Sequence, residues 1–374
     1  MPKTAGRTIV AHGGGWYRWA DLHLTEPELL NLYALEGFLD RLVHSSGSAP
    51  GAQSRRMYTF AMAYAFDPEL QPFVDLIPAP EVGDVEASRT FVEQIVRASL
   101  DSADVSGLRI EDRMVPGPVQ APEVRVRVYA PCAASAPTGG VVYIHGGGFA
   151  VGSVDMEHAE AAHLARELGA TLVSVEYRLA PEHPFPAALD DCYAALQWVH
   201  DHAGELGVLP SRIGIGGSSA GGNLAAGLAL LARDRGELEI ALQALIYPML
   251  DDRMITTSSG WEVPIWPPAS NDFGWSAYLS GRRGADDVPI HAAPARAEDL
   301  SGLPPTFICV GALDGFLDED VDYANRLLRA GVPTELHVYP GAPHGFDLLM
   351  PDSEVATRCR RHQDEWLAAR LGGP

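Results

Sequence analysis

Residues 212–231 read RIGIGGSSAGGNLAAGLALL. An apolar, strand-like run passes through glycine and serine into a small-residue, helix-like run. Within it Gly217-Ser218-Ser219-Ala220-Gly221 fits G-x-S-x-G. On a sharp strand-to-helix turn the glycines relieve crowding, and the serine hydroxyl is raised at a helix N-terminus. The stretch makes Ser219 the candidate nucleophile and requires a buried strand ahead of it and a helix behind. A glycine-rich turn before a helix also suits phosphate. Here, however, the Gly-Lys-Ser/Thr ending is absent, and Ser219 occupies the place of the last glycine in G-x-G-x-x-G.

The neighbouring sequence alternates in the same way. VVYI, a helix over HAEAAHLARELGA, TLVSVEY, a helix over AALDDCYAALQWVHDHAGELG and then RIGIGG precede the elbow, and ALQALIYP follows its helix. Such alternation predicts a mainly parallel central sheet flanked by helices on both faces. Residues 251–284, rich in Trp, Pro and Ser, interrupt it as an insertion. The pattern resumes with PTFICVGA, a helix over DEDVDYANRLLRAG, TELHVYP, and a last helix ending near Leu371.

Upstream, LRIEDRMV and VRVRVYAP read as strands from about residue 107. Thr25-Glu26-Pro27-Glu28 has the capping-box pattern and opens a helix expected over 26–43, whose apolar face runs from Leu29 to Val43. SSGSAPGAQSRR then reads as a linker. Asp67-Pro68-Glu69 and Asp84-Val85-Glu86 mark two further helix starts. The expected organisation is an N-terminal extension at 1–56, N-terminal helices at 57–106, and an α/β domain at 107–250 and 285–374 around the insertion at 251–284.

A serine hydroxyl needs a base to take its proton and an acid to orient that base. His344, in YPGAPHGFD between a strand and the last helix, is placed for the first role. His337 alternates within its strand and reads as packing, and His158 and His163 lack the spacing of a metal pair. Asp314 ends the strand PTFICVGALD and is placed for the second role. Asp318, Glu319 and Asp320 read as carboxylates favoured at a helix N-terminus, with Asp318 as cap.

The oxyanion of an acyl-transfer intermediate needs backbone amides on a loop that nothing crowds. His-Gly-Gly-Gly-aromatic occurs twice, at His12–Gly15 and at His145–Gly148. The second copy follows the apolar run VVYI and leaves room for two strand-helix units before the elbow. The first follows a thin RTIVA, precedes no elbow, and reads as an incidental repeat.

A net charge of −22, from 27 basic and 49 acidic residues, argues against nucleic acid or anionic lipid as partner. The four cysteines are scattered without zinc or disulfide spacing, no run is apolar enough for a membrane span, and the start lacks a signal-peptide core. The expectation is a cytoplasmic protein with no membrane association.

With these residues in hand, the chain resembles the hormone-sensitive lipase family of α/β-hydrolases, which includes many bacterial carboxylesterases. The resemblance rests on YIHGGGFAVGS, VSVEYRLAPEHPFPAALDD, GGSSAGGNLAAGLALLARD, LIYPMLDDR, GLPPTFICVGALDGFLDEDVDYA and VYPGAPHGF, from about residue 120 to the end. It implies an α/β-hydrolase fold with a helical cap formed by the N-terminal helices and the insertion. It also implies an oxyanion hole of Gly147, Gly148 and Ala220, with His145 and Gly146 supporting the loop.

The implied activity is hydrolysis of short- to medium-chain carboxylic esters by Ser219, Asp314 and His344, with no metal or other cofactor, a small-molecule ester as partner, and a homodimer as the assembly. An amidase or specialised deacetylase on the same triad, or a ligand receptor on this fold, are the rivals. Phe149, Ser218, Tyr247, Trp261, Trp266, Phe273, Trp275 and Phe346 are the candidate pocket residues, although the cap aromatics could equally pack the cap. In EYRLAPEHPFPA, Glu176, Arg178, Glu182 and His183 read as one packed polar network. Two features depart from the family. Ser218 stands where Asp or Thr usually precedes the nucleophile, and residues 1–56 match nothing in it.

Overall fold

Apolar β-branched runs and helix-forming runs segregate along the chain as two layers of helix around one sheet. The structure, a computed structural model, describes residues 8–10, 16–18, 65–74, 85–100, 103–132 and 136–371. The chain divides into two units, Met1–Met57 and Tyr58–Pro374. In the first, β1 (Thr8–Val10) pairs antiparallel with β2 (Trp16–Arg18), Ile9 opposite Tyr17. The first His-Gly-Gly-Gly copy, the helix expected over 26–43 and Asp84 itself lie outside the described residues, while the helix expected to start there spans Val85–Leu100.

In the second unit, eight strands form one sheet. They are β3 (Leu108–Val115), β4 (Val124–Pro131), β5 (Thr138–Ile144), β6 (Thr171–Glu176), β7 (Val208–Ser218), β8 (Gln243–Ile246), β9 (Thr306–Gly311) and β10 (Thr334–Tyr339). Their order is β10-β9-β8-β7-β5-β6-β4-β3. Every pairing from β10 to β6 is parallel, and only β4, antiparallel to both β6 and β3, runs against the rest. Central strands buried on both faces need continuous apolar sequence. β8 and β9 are buried at every residue, whereas edge strand β3 alternates towards solvent.

The chain leaves β5 for β6 on one side and returns to β7 on the other, so the loops after β5 and β7 diverge. That switch point, at the carboxyl ends of parallel strands, is where α/β sheets open a crevice. The loops carrying His145–Gly148, Ser219, Asp314 and His344 follow β5, β7, β9 and β10, all at this edge.

The insertion between β8 and β9 holds a short 3-10 turn, Ser258–Gly260, and a helix, Pro268–Tyr278. Asp252 fastens both of its ends. The buried carboxylate accepts from the Gly284 amide (2.7 Å) and from Arg296 Nη2 (2.9 Å). Removing one partner of a buried ion pair leaves the other charge uncompensated. Asp252→Ala is therefore expected to lower unfolding free energy by about 3 to 5 kcal/mol, read from the urea midpoint at unchanged m-value. A change under 1 kcal/mol (~) would mean the clasp contributes no more than a surface pair.

The polar network expected in EYRLAPEHPFPA resolves into separate pairs. Arg178 binds the buried carboxylate of Asp191, Glu182 binds Arg89 of the helix Val85–Leu100, and Glu176 accepts from the Val154 amide. Each partner comes from a different element, so adjacency in sequence does not make these groups neighbours in space.

Candidate active site

Ser219 follows β7 directly and opens the helix Ala220–Arg235 with φ 55° and ψ −117°, a left-handed conformation that strains a side-chain-bearing residue. The surroundings hold it there. Its amide donates to Ile246 O (2.8 Å), and its carbonyl accepts from Asn223 N (3.0 Å) and Met249 N (3.1 Å). Glycine is required on either side of the turn. A Cβ on Gly217 would lie 2.4 Å from Ile144 O, and one on Gly221 would lie 2.0 Å from the same atom.

His344 Nε2 lies 3.0 Å from Ser219 Oγ, and its Nδ1 lies 2.8 Å from Asp314 Oδ2. The other Asp314 oxygen accepts the Phe316 amide at 3.0 Å. An ionised carboxylate only accepts, so the imidazole proton sits on Nδ1 and the Nε2 lone pair faces the serine hydroxyl. Tyr247 and Phe316 present ring edges to the imidazole at 4.8 and 5.0 Å. All three polar side chains are buried by the chain around them. The loop that carries His344 is tied to the N-terminal segment, where Asp67 N donates to Gly341 O.

The loop after β5 turns through positive φ at Gly147 (105°), Gly148 (56°) and Phe149 (64°). Among the described residues, none accepts a hydrogen bond from the amides of Gly147, Gly148 or Ala220. Those donors are the kind that a developing oxyanion would use. His145 lies beneath the loop. Its Nδ1 donates to Gly146 O (2.8 Å), its ring stacks on Tyr177 at 4.1 Å, and the Tyr177 hydroxyl donates to His145 O (3.0 Å). Burial pushes the His145 imidazole down to about 4, so it stays neutral and shapes the loop.

The expected pocket residues separate into two groups. Phe149, Trp275 and Phe346 have essentially no accessible surface. Phe149 stacks on Tyr278 at 4.0 Å and meets Trp275 at 5.3 Å, while Phe346 packs on Tyr339 and Tyr247. These side chains pack ring against ring behind the loops. Ser218 is likewise turned away, its hydroxyl donating to Glu157 Oε1 at 2.7 Å. Tyr247, also buried, donates its hydroxyl to Asp347 and offers only its ring to His344. Trp261, Trp266 and Phe273 keep partial exposure. The Trp266 ring lies where a Cβ on Gly148 would sit, 2.2 Å away, so the insertion rests on the oxyanion loop.

Asp318, Glu319 and Asp320 lie in the first helical turn, as expected, but Asp318 is not the cap. The helix Leu317–Arg329 has no side-chain cap, and the Asp318 carboxylate accepts from Ser258 N of the insertion (2.8 Å). Glu319 is buried and accepts from Leu250 N (2.7 Å), and burial pushes the carboxyls of both Glu319 and Asp320 well above the usual range. His158 pairs with the Tyr129 hydroxyl and His163 with Asp364. Among the described residues no cluster of three or more His, Cys, Asp or Glu could hold a metal.

A family model for the alpha/beta hydrolase fold matches residues 141–348. The chain is 39% identical over 300 residues to a carboxylesterase of Mycobacterium tuberculosis, NlhH, covering 78% of this chain and 92% of that one. The chain belongs to the hormone-sensitive lipase family of α/β-hydrolases. Two solved structures place this hydrolase's architecture alongside theirs. A bacterial heroin esterase has a TM-score of 0.80 at 40% identity, covering 83% of this chain and 99% of its own. The esterase LipW of Mycobacterium marinum has a TM-score of 0.75 at 39% identity, covering 82% and 96%.

Two residues of the hydrolase's site were missed by sequence reasoning. Glu157 accepts the Gly146 amide (3.3 Å) as well as the Ser218 hydroxyl. Arg89 donates through Nε to Ala150 O (2.9 Å) while its guanidinium holds Glu182. Glu157 resembles any acid at a helix start, and Arg89 any cation on an amphipathic helix. Only the long-range contact distinguishes them.

Proposed function

We propose that this α/β-hydrolase cleaves short- to medium-chain carboxylic esters through an acyl-enzyme on Ser219. The observation that carries the reading is the unbroken chain from Ser219 Oγ through His344 to Asp314. Ser219 Oγ attacks the ester carbonyl carbon as its proton passes to His344 Nε2, and Asp314 stabilises the imidazolium. The carbonyl oxygen, now negative, accepts from the amides of Gly147, Gly148 and Ala220. As the C–O bond to the alcohol breaks, His344 returns its proton to the leaving oxygen. Water then repeats the sequence on the acyl-serine and releases the acid.

The N-terminal helices with residues 251–284 are proposed to act as a cap, and Trp266, with Trp261 and Phe273, to shape the acyl or alcohol side of the pocket. A cytoplasmic setting and a homodimer complete the proposal, tested by fractionation and sedimentation velocity. No helix among the described residues is long and apolar enough to cross a membrane.

A panel of p-nitrophenyl esters from acetyl to dodecanoyl, with matched anilides, tests the activity. The expected result is maximal kcat/KM at or below octanoyl with anilides turned over far more slowly. Preference for anilides would favour an amidase. The oxyanion loop has its own test. Gly148→Ala forces a Cβ against Trp266 at a left-handed position, and displacing one donor typically lowers kcat about 10²- to 10³-fold. Wild-type kcat in this variant would remove Gly148 from the oxyanion hole.

A further inference from the structure

Two loops that must act together meet with almost no space between them. A Cβ on Gly146 would lie 3.0 Å from Ser218 Oγ, and one on Gly221 would lie 2.5 Å from His145 O. One side chain bonds to both loops. Glu157 sits just before the helix His158–Leu168, yet makes no cap bond to it, and its side chain turns inward to full burial. There Oε1 accepts from the Ser218 hydroxyl (2.7 Å) and from the Gly146 amide (3.3 Å). Ser218 precedes the nucleophile, and Gly146 precedes the two glycines assigned to the oxyanion.

We propose that Glu157 is a positioning residue for ester hydrolysis, whose Oε1 fixes the oxyanion loop against the turn that carries Ser219. The proposal rests on the reading of Ser219 as nucleophile and of Gly147 and Gly148 as oxyanion donors. Burial pushes the Glu157 carboxyl up to about 7, against the pull of its two donors. In either protonation form Oε1 accepts both bonds, so the function requires an acceptor at this point and not a charge. Positioning matters here because oxyanion donors act only at the right distance from the tetrahedral centre. A displacement of about 1 Å can cost about 10²-fold in rate.

The test compares Glu157→Gln, which keeps the acceptor, with Glu157→Met, which keeps the approximate volume and loses it. Both are assayed on p-nitrophenyl butyrate, with thermal midpoints measured alongside. Glu157→Met is expected to lower kcat about 10²-fold at a KM within about 3-fold of wild type, the signature of an interaction made only in the transition state. Glu157→Gln is expected to recover kcat to within about 5-fold of wild type.

Wild-type kcat in Glu157→Met, a loss confined to KM, or equal losses in both variants would each overturn the proposal. Should the methionine variant fail to fold, Ser218→Ala removes the elbow's half of the tie and keeps the Gly146 bond. It is then expected to lower kcat about 10-fold at constant KM, and unchanged kcat would overturn the proposal. An organophosphonate separates the two levels of the account. It should label Ser219 to completion in wild type and in every folded variant. Failure to label the wild type would sink the nucleophile assignment, whereas normal kcat in Glu157→Met with normal labelling would sink only the role of Glu157.

Discussion

Ser219→Ala is expected to lower kcat on p-nitrophenyl butyrate by about 10⁶-fold, with the fold and substrate affinity retained, because members of a catalytic unit fail together when the nucleophile is removed. Residual turnover would come from the oxyanion donors alone, about 10³- to 10⁴-fold over the reaction in water. The substitution is structurally mild. The Ser219 backbone is held by its amide bond to Ile246 O and by two bonds to its carbonyl, all of which alanine keeps. Alanine also accepts the left-handed backbone no worse than serine. Near-native circular dichroism with kcat within tenfold of wild type (~) would contradict the assignment.

Asp314→Asn is expected to lower kcat by about 10⁴-fold while barely changing the geometry. The reason lies in the second bond that this carboxylate makes. The oxygen facing the Phe316 amide must accept, so asparagine keeps its carbonyl there and turns its NH₂ towards His344 Nδ1. Nδ1 must then accept, the proton moves to Nε2, and the atom 3.0 Å from Ser219 Oγ can no longer take the serine proton. The check is a kcat measurement with a crystal structure or histidine ¹⁵N shifts of the variant. A loss under tenfold (~) with the swapped tautomer in place would show that Asp314 does not set the imidazole.

What the sequence makes legible is whatever is constrained locally. The elbow is steric. Gly217 and Gly221 face the Ile144 carbonyl across a gap that no Cβ fits, so the glycines and the strand-helix change around Ser219 betray the turn by themselves. The parallel sheet is legible because fully buried strands such as β8 and β9 have no polar alternation to confuse them with surface elements.

The cap side of the site was harder to read. An aromatic residue reports that a large apolar group is wanted without saying whether it faces a cavity or a neighbour. Trp275 and Phe149, expected at the pocket, are packed behind the loop, while Trp266 lies on it. Acids near helix starts are similarly ambiguous. Asp318 reads as a cap and instead holds Ser258 of the insertion, and Glu157, just before a helix, joins two loops. The partners are 60 and 61 residues away in sequence, a distance over which no local pattern carries information.

The central claim is that Ser219 is the activated nucleophile. Intact-mass spectrometry after incubation with a p-nitrophenyl alkylphosphonate tests it most directly. The account predicts one adduct per chain, complete loss of esterase activity in step with labelling, and a modified peptide containing Ser219. An enzyme that loses activity with the adduct on another residue, or that stays unlabelled and active, would contradict it.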